Sequence, residues 1–303
     1  MDKNNIDLEN NINLVNNIDL ENNTTKNGNG FIYIVSNNVG GINNVDYIRE
    51  ALFSAVSLRK YHDKNDFGIS IITDEKNKNY LNNITNQFSK RFSDFFCLKN
   101  TFQWDHIITS DMSLRCKQHL LYNNSPYDNT VFIDSDTLIN WNLKDLFQLL
   151  NNFDILGVYD YSRKRYFDFL PDYNNIPSGF SEINTGLIAF KKCKAVSDLF
   201  SQWSSLYDHY LKIGNLKWDQ PSFRVALWNS INNGLKFYSL PTEYNRRSKD
   251  TKLKCINLKK QGDTRFGKEH LKTRVFHFHN IENIFIKYGN KSMSVIEQIG
   301  QDF

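Results

Sequence analysis

A chain of 303 residues with 40% apolar content can bury one large or two ordinary hydrophobic cores. Lys and Arg number 37 against 33 Asp and Glu, a net charge of +4 with no long run of one sign, which speaks against a nucleic-acid-binding protein. Cys97, Cys116, Cys193 and Cys255 form no Cys-x-x-Cys pair, which excludes the usual zinc and redox motifs and reads as reduced thiols. There is no basic segment leading into an apolar one near residue 1, and no apolar run of membrane-spanning length, so the expectation is a cytoplasmic protein with no membrane span.

Residues 1–28 stand apart. The heptapeptide from Asn4 to Asn10 recurs identically from Asn16 to Asn22 in a polar, Asn-rich context. This reads as a low-complexity tail, with contacts in a homo-oligomer as its alternative role. No Gly/Ser/Pro-rich linker follows, so residues 29–303 read as one domain.

Residues 31–35 form an apolar strand closed by Ser36-Asn37-Asn38. Residues 45–61 carry Tyr47, Ile48, Ala51, Leu52, Ala55 and Leu58 at helical spacing. A second strand covers 67–72, a helix 79–91, a short third strand 95–98, and another helix 111–122. Then Val131-Phe132-Ile133, a β-branched run too short for a helix, leads into Asp134-Ser135-Asp136. Further strands are expected at 153–158, 183–190, 236–240 and 274–279, and helices at 195–212 and 219–230. A polar, aromatic loop spans 160–182. Strands alternating with helices predict an α/β protein with a mainly parallel central sheet.

The Asp134-Ser135-Asp136 segment is the most telling. Ligands bind beyond the carboxyl ends of strands in open α/β sheets. Two carboxylates one residue apart repel each other unless a cation sits between them. An oxygen-seeking ion such as Mg²⁺ or Mn²⁺ would also carry substrate phosphates. The plainer reading takes both Asp residues as turn formers.

The order of segments from residue 31 to 280 resembles the GT-A glycosyltransferases, especially family 8, the glycogenin and galactosyltransferase-like group. Tyr33, Ser36, Asn37 and Asn38 match the first strand and its nucleotide loop. Arg115 and Lys117 match a basic helix residue. Asp134-Ser135-Asp136, Asn184-Thr185-Gly186, Asp219-Gln220 and His277-Phe278-His279-Asn280 match the remaining motifs in order. The resemblance implies a single GT-A, Rossmann-like nucleotide-diphospho-sugar transferase domain. It implies Mn²⁺ (or Mg²⁺) held by Asp134, Asp136 and His277, with His279 as the alternative imidazole. Donor contacts would come from Tyr33, Ser36, Asn37, Asn38, Asp134, Ser135, Asn184, Thr185 and Gly186. One of Arg115 and Lys117 would join them, since residues two apart do not share a helix face. Asp134 reaches either the metal or the donor ribose. Asp219 and Gln220 would be the catalytic pair. The implied partners are a nucleotide-sugar donor, most simply a UDP-sugar, and a hydroxyl of a glycan or protein acceptor, with the 160–182 loop on the acceptor side. The pattern departs at Asn280, where the family has Gly, and lacks the Lys-Pro-Trp that follows; Lys287 and Lys291 do not restore its spacing.

Two other readings exist. The segment from Val131 to Leu138 also resembles the opening motif of haloacid-dehalogenase-like phosphatases, with Asp134 as nucleophile and Asp136 as general acid. That motif normally opens its domain, and the sequence has no later Asp-Asp pair. A binding protein that keeps the GT-A fold without catalysis is the second. Residue by residue, His277 could be an ordinary strand residue, Gly186 a strand bulge and Asp219 a helix-dipole partner.

Overall fold

The computed structural model describes residues 28–37, 45–111, 117–160, 166–247 and 273–278, with side chains of 117–120 left aside. Strands β1 (Asn29–Ile34), β2 (Gly68–Thr73), β3 (His106–Thr109), β4 (Asn129–Ile133), β5 (Thr137–Ile139), β6 (Ile155–Tyr159), β7 (Ile183–Lys191), β8 (Phe237–Leu240), β9 (Arg246–Arg247) and β10 (Val275–His277) form two sheets. The larger has seven strands in the order β3-β2-β1-β4-β7-β6-β8, and the smaller runs β5-β10-β9. The expected mainly parallel α/β sheet is what the chain forms. In the large sheet β7 alone runs antiparallel to its neighbours β4 and β6. The start of β7 therefore lies at the same end of the sheet as the carboxyl ends of β1, β4 and β6.

The strands alternate between two apolar layers because successive side chains point to opposite faces. Phe31, Tyr33, Val131 and Ile133 pack with Leu52 and Val56 of helix α1 (Tyr47–Arg59) and with helix α2 (Glu75–Phe95). Ile32, Phe132, Ile188 and Phe190 face the other way. They meet helices α3 (Lys117–Asn124), α6 (Lys194–Gly214) and α7 (Gln220–Asn232), through Leu121, Trp203 and Phe223 among others. A short helix α4 (Lys144–Leu149) adds Leu146 and Phe147 to the first layer. The carboxylates of Asp46 and Asp74 accept the backbone N–H groups of Arg49 and Asn77, capping α1 and α2.

Several sequence expectations are corrected here. Residues 95–98 are not a strand: α2 continues through Phe95. Phe88, Phe92, Phe95 and Phe96 recur at helical spacing, and the last three pack their rings on Phe53 of α1. Cys97 then adopts φ 57° and Leu98 N–H returns to the Ser93 carbonyl, ending the helix. The third strand lies later, at β3. The 160–182 loop contains helix α5 (Pro171–Asn175), and β5, α4 and β9 are additional short elements. Residues 1–27 of the N-terminal tail, Asn38, Arg115, Cys116, Cys255, His279, Asn280, Lys287 and Lys291 lie outside the described residues.

The 166–182 connection is held from below by Arg224 on α7, which is fully buried. Its guanidinium donates to the carbonyls of Phe180 (2.8 Å), Tyr173 (2.8 Å), Pro177 (3.1 Å) and Ile176 (3.3 Å). It also stacks on the Tyr173 ring, 4.6 Å from the centroid.

Candidate active site

At the end of β4 the chain crosses into a tight turn. Asp134 N–H donates to the Gly186 carbonyl on β7 (2.9 Å), and Thr137 Oγ1 donates to the Asp134 carbonyl (2.9 Å). The turn delivers the chain to β5, which pairs antiparallel with β10 so that Thr137 lies opposite His277. Phe278 N–H donates to the Asp136 carbonyl (2.8 Å). The small sheet is thus what joins the Asp-x-Asp turn to a histidine far away in sequence.

His277 Nε2 lies 3.2 Å from Asp136 Oδ1 and 3.8 Å from Asp134 Oδ2. One ligand atom from each of the three residues lies within 4.8 Å of the others. That spacing suits one divalent ion, which takes oxygen and imidazole ligands at about 2.0–2.2 Å. Two carboxylates and an imidazole are a donor set for Mn²⁺ or Mg²⁺ rather than for a thiophilic metal. Burial works against a charged His277 ring, but the Asp136 charge and hydrogen bond, with Asp134 behind them, outweigh it and hold its pKa above the usual value.

Gly186 is part of the same construction. A Cβ there would stand 2.3 Å from His277 Cε1 and 2.8 Å from Asp134 Oδ2. Only a residue without a side chain lets both groups close over β7. Asn184 is buried and spent on internal partners: its amide donates to Asp160 Oδ2 (3.2 Å), and its oxygen accepts Gly186 N–H (2.9 Å) and Asn245 Nδ2 (2.8 Å). Thr185 Oγ1 donates to Asp219 Oδ1 (3.0 Å), which ties that carboxylate to the β7 start. Asp219 occupies the N-cap position of α7, yet its side chain makes no capping bond. The Gln220 amide donates to the buried Glu182, which also accepts the Tyr173 hydroxyl.

The first-strand residues are placed differently. Tyr33 is fully buried; its hydroxyl lies 2.9 Å from Ser54 Oγ, and Ser54 lies 2.7 Å from Thr137 Oγ1. It supports the Asp134 turn from beneath, through Ser54 and Thr137. Ser36 Oγ donates to Asp74 and Asn37 Nδ2 to Asp46, so both hold helix caps. Ser135 is buried in the turn. Lys117 opens α3, with its side chain outside the described residues.

Sequence reasoning missed Asp160, Asn245 and Arg247. Asp160 follows the apolar run of β6 as Asp134 follows that of β4, so the same strand-end argument would have flagged it. Asn245 sits in a polar turn and Arg247 in the two-residue strand β9 that follows it, neither with a periodic signal.

No protein-family model matches the chain, and no curated protein matches it in sequence. Solved structures do. WbbM, a bifunctional glycosyltransferase in its apo form, is 15% identical with a TM-score of 0.59, covering 92% of this chain and 52% of that one. The apo form of the glycosyltransferase GlyE of Streptococcus pneumoniae TIGR4 is 14% identical with a TM-score of 0.52, covering 88% and 61%. The chain thus spans about half to three fifths of the length of these proteins. No helix among the described residues is long and apolar enough to cross a membrane. Sheet order, the reversed β7 and these likenesses together show that the chain has the GT-A-like fold of glycosyltransferases.

Proposed function

We propose that the protein is a metal-dependent glycosyltransferase that moves a sugar from a nucleotide diphosphate donor to an acceptor hydroxyl. The observation that carries this reading is the convergence of Asp134, Asp136 and His277 at the ligand-binding end of a GT-A-like sheet. Asp134 and Asp136 oxygens and His277 Nε2 would hold a divalent ion, Mn²⁺ or Mg²⁺. When bound, such an ion neutralises charge on the leaving diphosphate as a Lewis acid.

The remaining work falls to the chain. Thr185 holds Asp219 beside the β7 start, where that carboxylate can orient or deprotonate the acceptor hydroxyl. Gln220 is turned inward on Glu182 and fixes the first turn of α7. Donor contacts are assigned to Asp134, Ser135 and Thr185, with a UDP-linked sugar as the first donor to test. The acceptor wall is assigned to the connection after β6 and to Trp218. Tyr166 and Trp218 are 74% and 48% exposed, and the Trp218 ring lies 6.3 Å from Phe167. Exposed aromatic rings beside a polar site suit the apolar faces of a glycan. The acceptor is accordingly a glycan or a glycosylated or hydroxyl-bearing protein. The phosphatase reading gains no support from the structural likenesses.

Thermal melting with a panel of nucleoside diphosphates and nucleotide sugars, each with and without Mn²⁺, tests the proposal. A ligand that binds only the native state must raise Tm. A rise with one nucleotide that requires Mn²⁺ supports it and names the base. No rise with any nucleotide, but one with phosphate mimics and Mg²⁺, overturns it.

A further inference from the structure

Glu182 stands just before β7 and is fully buried. A carboxylate kept out of water costs free energy that an apolar side chain of the same size would not, so its place calls for a reason beyond packing. The Tyr173 hydroxyl donates to its Oε1 and the Gln220 amide to its Oε2. The nearby cation is Arg224: burial pulls its pKa down, and Tyr173 and Glu182 work against that pull. A carboxylate only accepts, so both partners are fixed as donors and Gln220 must turn its NH₂ toward the entry of β7.

Gln220 is the first residue of α7, and Asp219 before it is the N-cap. An Asp at that position ordinarily folds its carboxylate back onto the first free N–H groups of the helix. Here it makes no such bond; Thr185 Oγ1 holds Oδ1 at 3.0 Å instead. The start of the helix is gripped by what surrounds it. The Asp219 carbonyl accepts Trp203 Nε1 (3.1 Å) and Ser222 Oγ (2.7 Å), and Glu182 holds the next residue. Glu182 and Thr185, at one strand entry, thus bind consecutive residues of α7. A negative charge beside the first turn also suits the helix dipole.

We propose that Glu182 is a positioning residue for Asp219: through Gln220 it supplies the anchor that the helix loses when the Asp219 carboxylate turns toward Thr185. Its effect on turnover rests on the glycosyltransferase reading above; its effect on the place of Asp219 does not.

The test uses the full chain with Mn²⁺ and UDP-glucose or UDP-galactose, with water as the acceptor, and follows UDP release. Glu182→Ala leaves two buried donors without an acceptor. Its kcat should fall on the order of 10²-fold at unchanged donor KM, as a misplaced catalytic group gives. Calorimetry with Mn²⁺ should show the wild-type stoichiometry, which sets aside a mere loss of folded protein. Glu182→Gln keeps an oxygen for the Gln220 amide and an NH₂ that the Tyr173 hydroxyl can accept, and should restore most of kcat. The deciding comparison is made in Asp219→Ala. There Glu182→Ala should cost nothing further, because a residue acting only through Asp219 has nothing left to position. A merely structural role would cost as much in either background. Should Glu182→Ala fail to fold, Glu182→Asp, a methylene too short to reach both partners, is read in the same way. The Trp203 indole N–H, in protein labelled with ¹⁵N-tryptophan, reports the place of Asp219 without any turnover. Its resonance should move in Glu182→Ala and return in Glu182→Gln. Unchanged kcat in Glu182→Ala, equal losses in both backgrounds, or an unmoved indole resonance overturns the positioning. A wild type that releases no UDP from either donor overturns the UDP-sugar reading, and the indole resonance alone then decides for or against Glu182.

Discussion

Two buried histidines, His62 and His277, show how the molecule uses the same side chain in opposite ways. His62 follows α1 in an apolar layer, with its ring 4.7 Å from that of Phe31 and 5.2 Å from that of Phe67. Its Nε2 accepts the Leu143 N–H (3.1 Å), which anchors the start of α4. Burial, with Lys144 and Arg59 nearby, lowers its pKa to about 3. His277 is buried too, but it faces two carboxylates and its pKa moves up. Burial alone pushes both rings toward neutrality, so the sign of each shift is set by the charges it meets. One histidine is a structural acceptor and the other is the proposed metal ligand.

The largest way to break this contrast is Asp136→Ala. Turnover should fall by on the order of 10³-fold or more, because both ligation and its charge are lost. Melting without metal should stay close to wild type, since a mutual repulsion is removed along with the His277 contact. Undiminished turnover would remove the central claim. Gly186→Ala comes next. The new Cβ must push the His277 ring and the Asp134 carboxylate apart, so Mn²⁺ affinity should fall about 10- to 100-fold by calorimetry. Unaltered affinity would mean that the three ligands do not act as the site.

The structural histidine supplies the third test. The folded state keeps His62 neutral down to about pH 3, whereas the unfolded chain protonates it near 6.5. Its contribution to stability is therefore complete above pH 6.5 and is lost as pH falls from there toward 3. The unfolding free energy from urea titrations should decline by about 1.4 kcal/mol per pH unit across that window from this group. His62→Gln should flatten the decline, and an unchanged slope would refute the assignment. The smallest effect is expected from Tyr33→Phe: a loss of about 1 kcal/mol of stability from the Ser54 hydrogen bond, with nucleotide binding unchanged. A large drop in donor affinity would instead place Tyr33 at the donor site.

Parts of this were legible in the sequence. Asp134 and Asp136 stood out because an apolar run ending in two carboxylates has few structural uses. The parallel layers followed from strands alternating with helices. His277 was legible only through the order of motifs, since the β5–β10 pairing that delivers it is tertiary. Residues 95–98 misled because four apolar residues in a row carry no period of their own. The helical spacing that decided the matter began at Phe88. Tyr33, Ser36 and Asn37 were named as donor contacts through the resemblance alone; the internal bonds they make, Tyr33 to Ser54 and the other two to the helix-capping Asp74 and Asp46, are tertiary and leave no mark in the sequence. Asn245 was beyond reach, because an amide in a polar turn says nothing about its partner.

Arg224 has a consequence for hydrogen exchange. The connection from 166 to 182 has only one short helix, and four of its carbonyls converge on this guanidinium. Amides along that stretch should therefore exchange in one cooperative opening rather than fray singly. Arg224 belongs to the helix that begins at Gln220, immediately after Asp219. Release of the proposed acceptor wall and disturbance of the proposed catalytic carboxylate would then be the same event, with a single free energy.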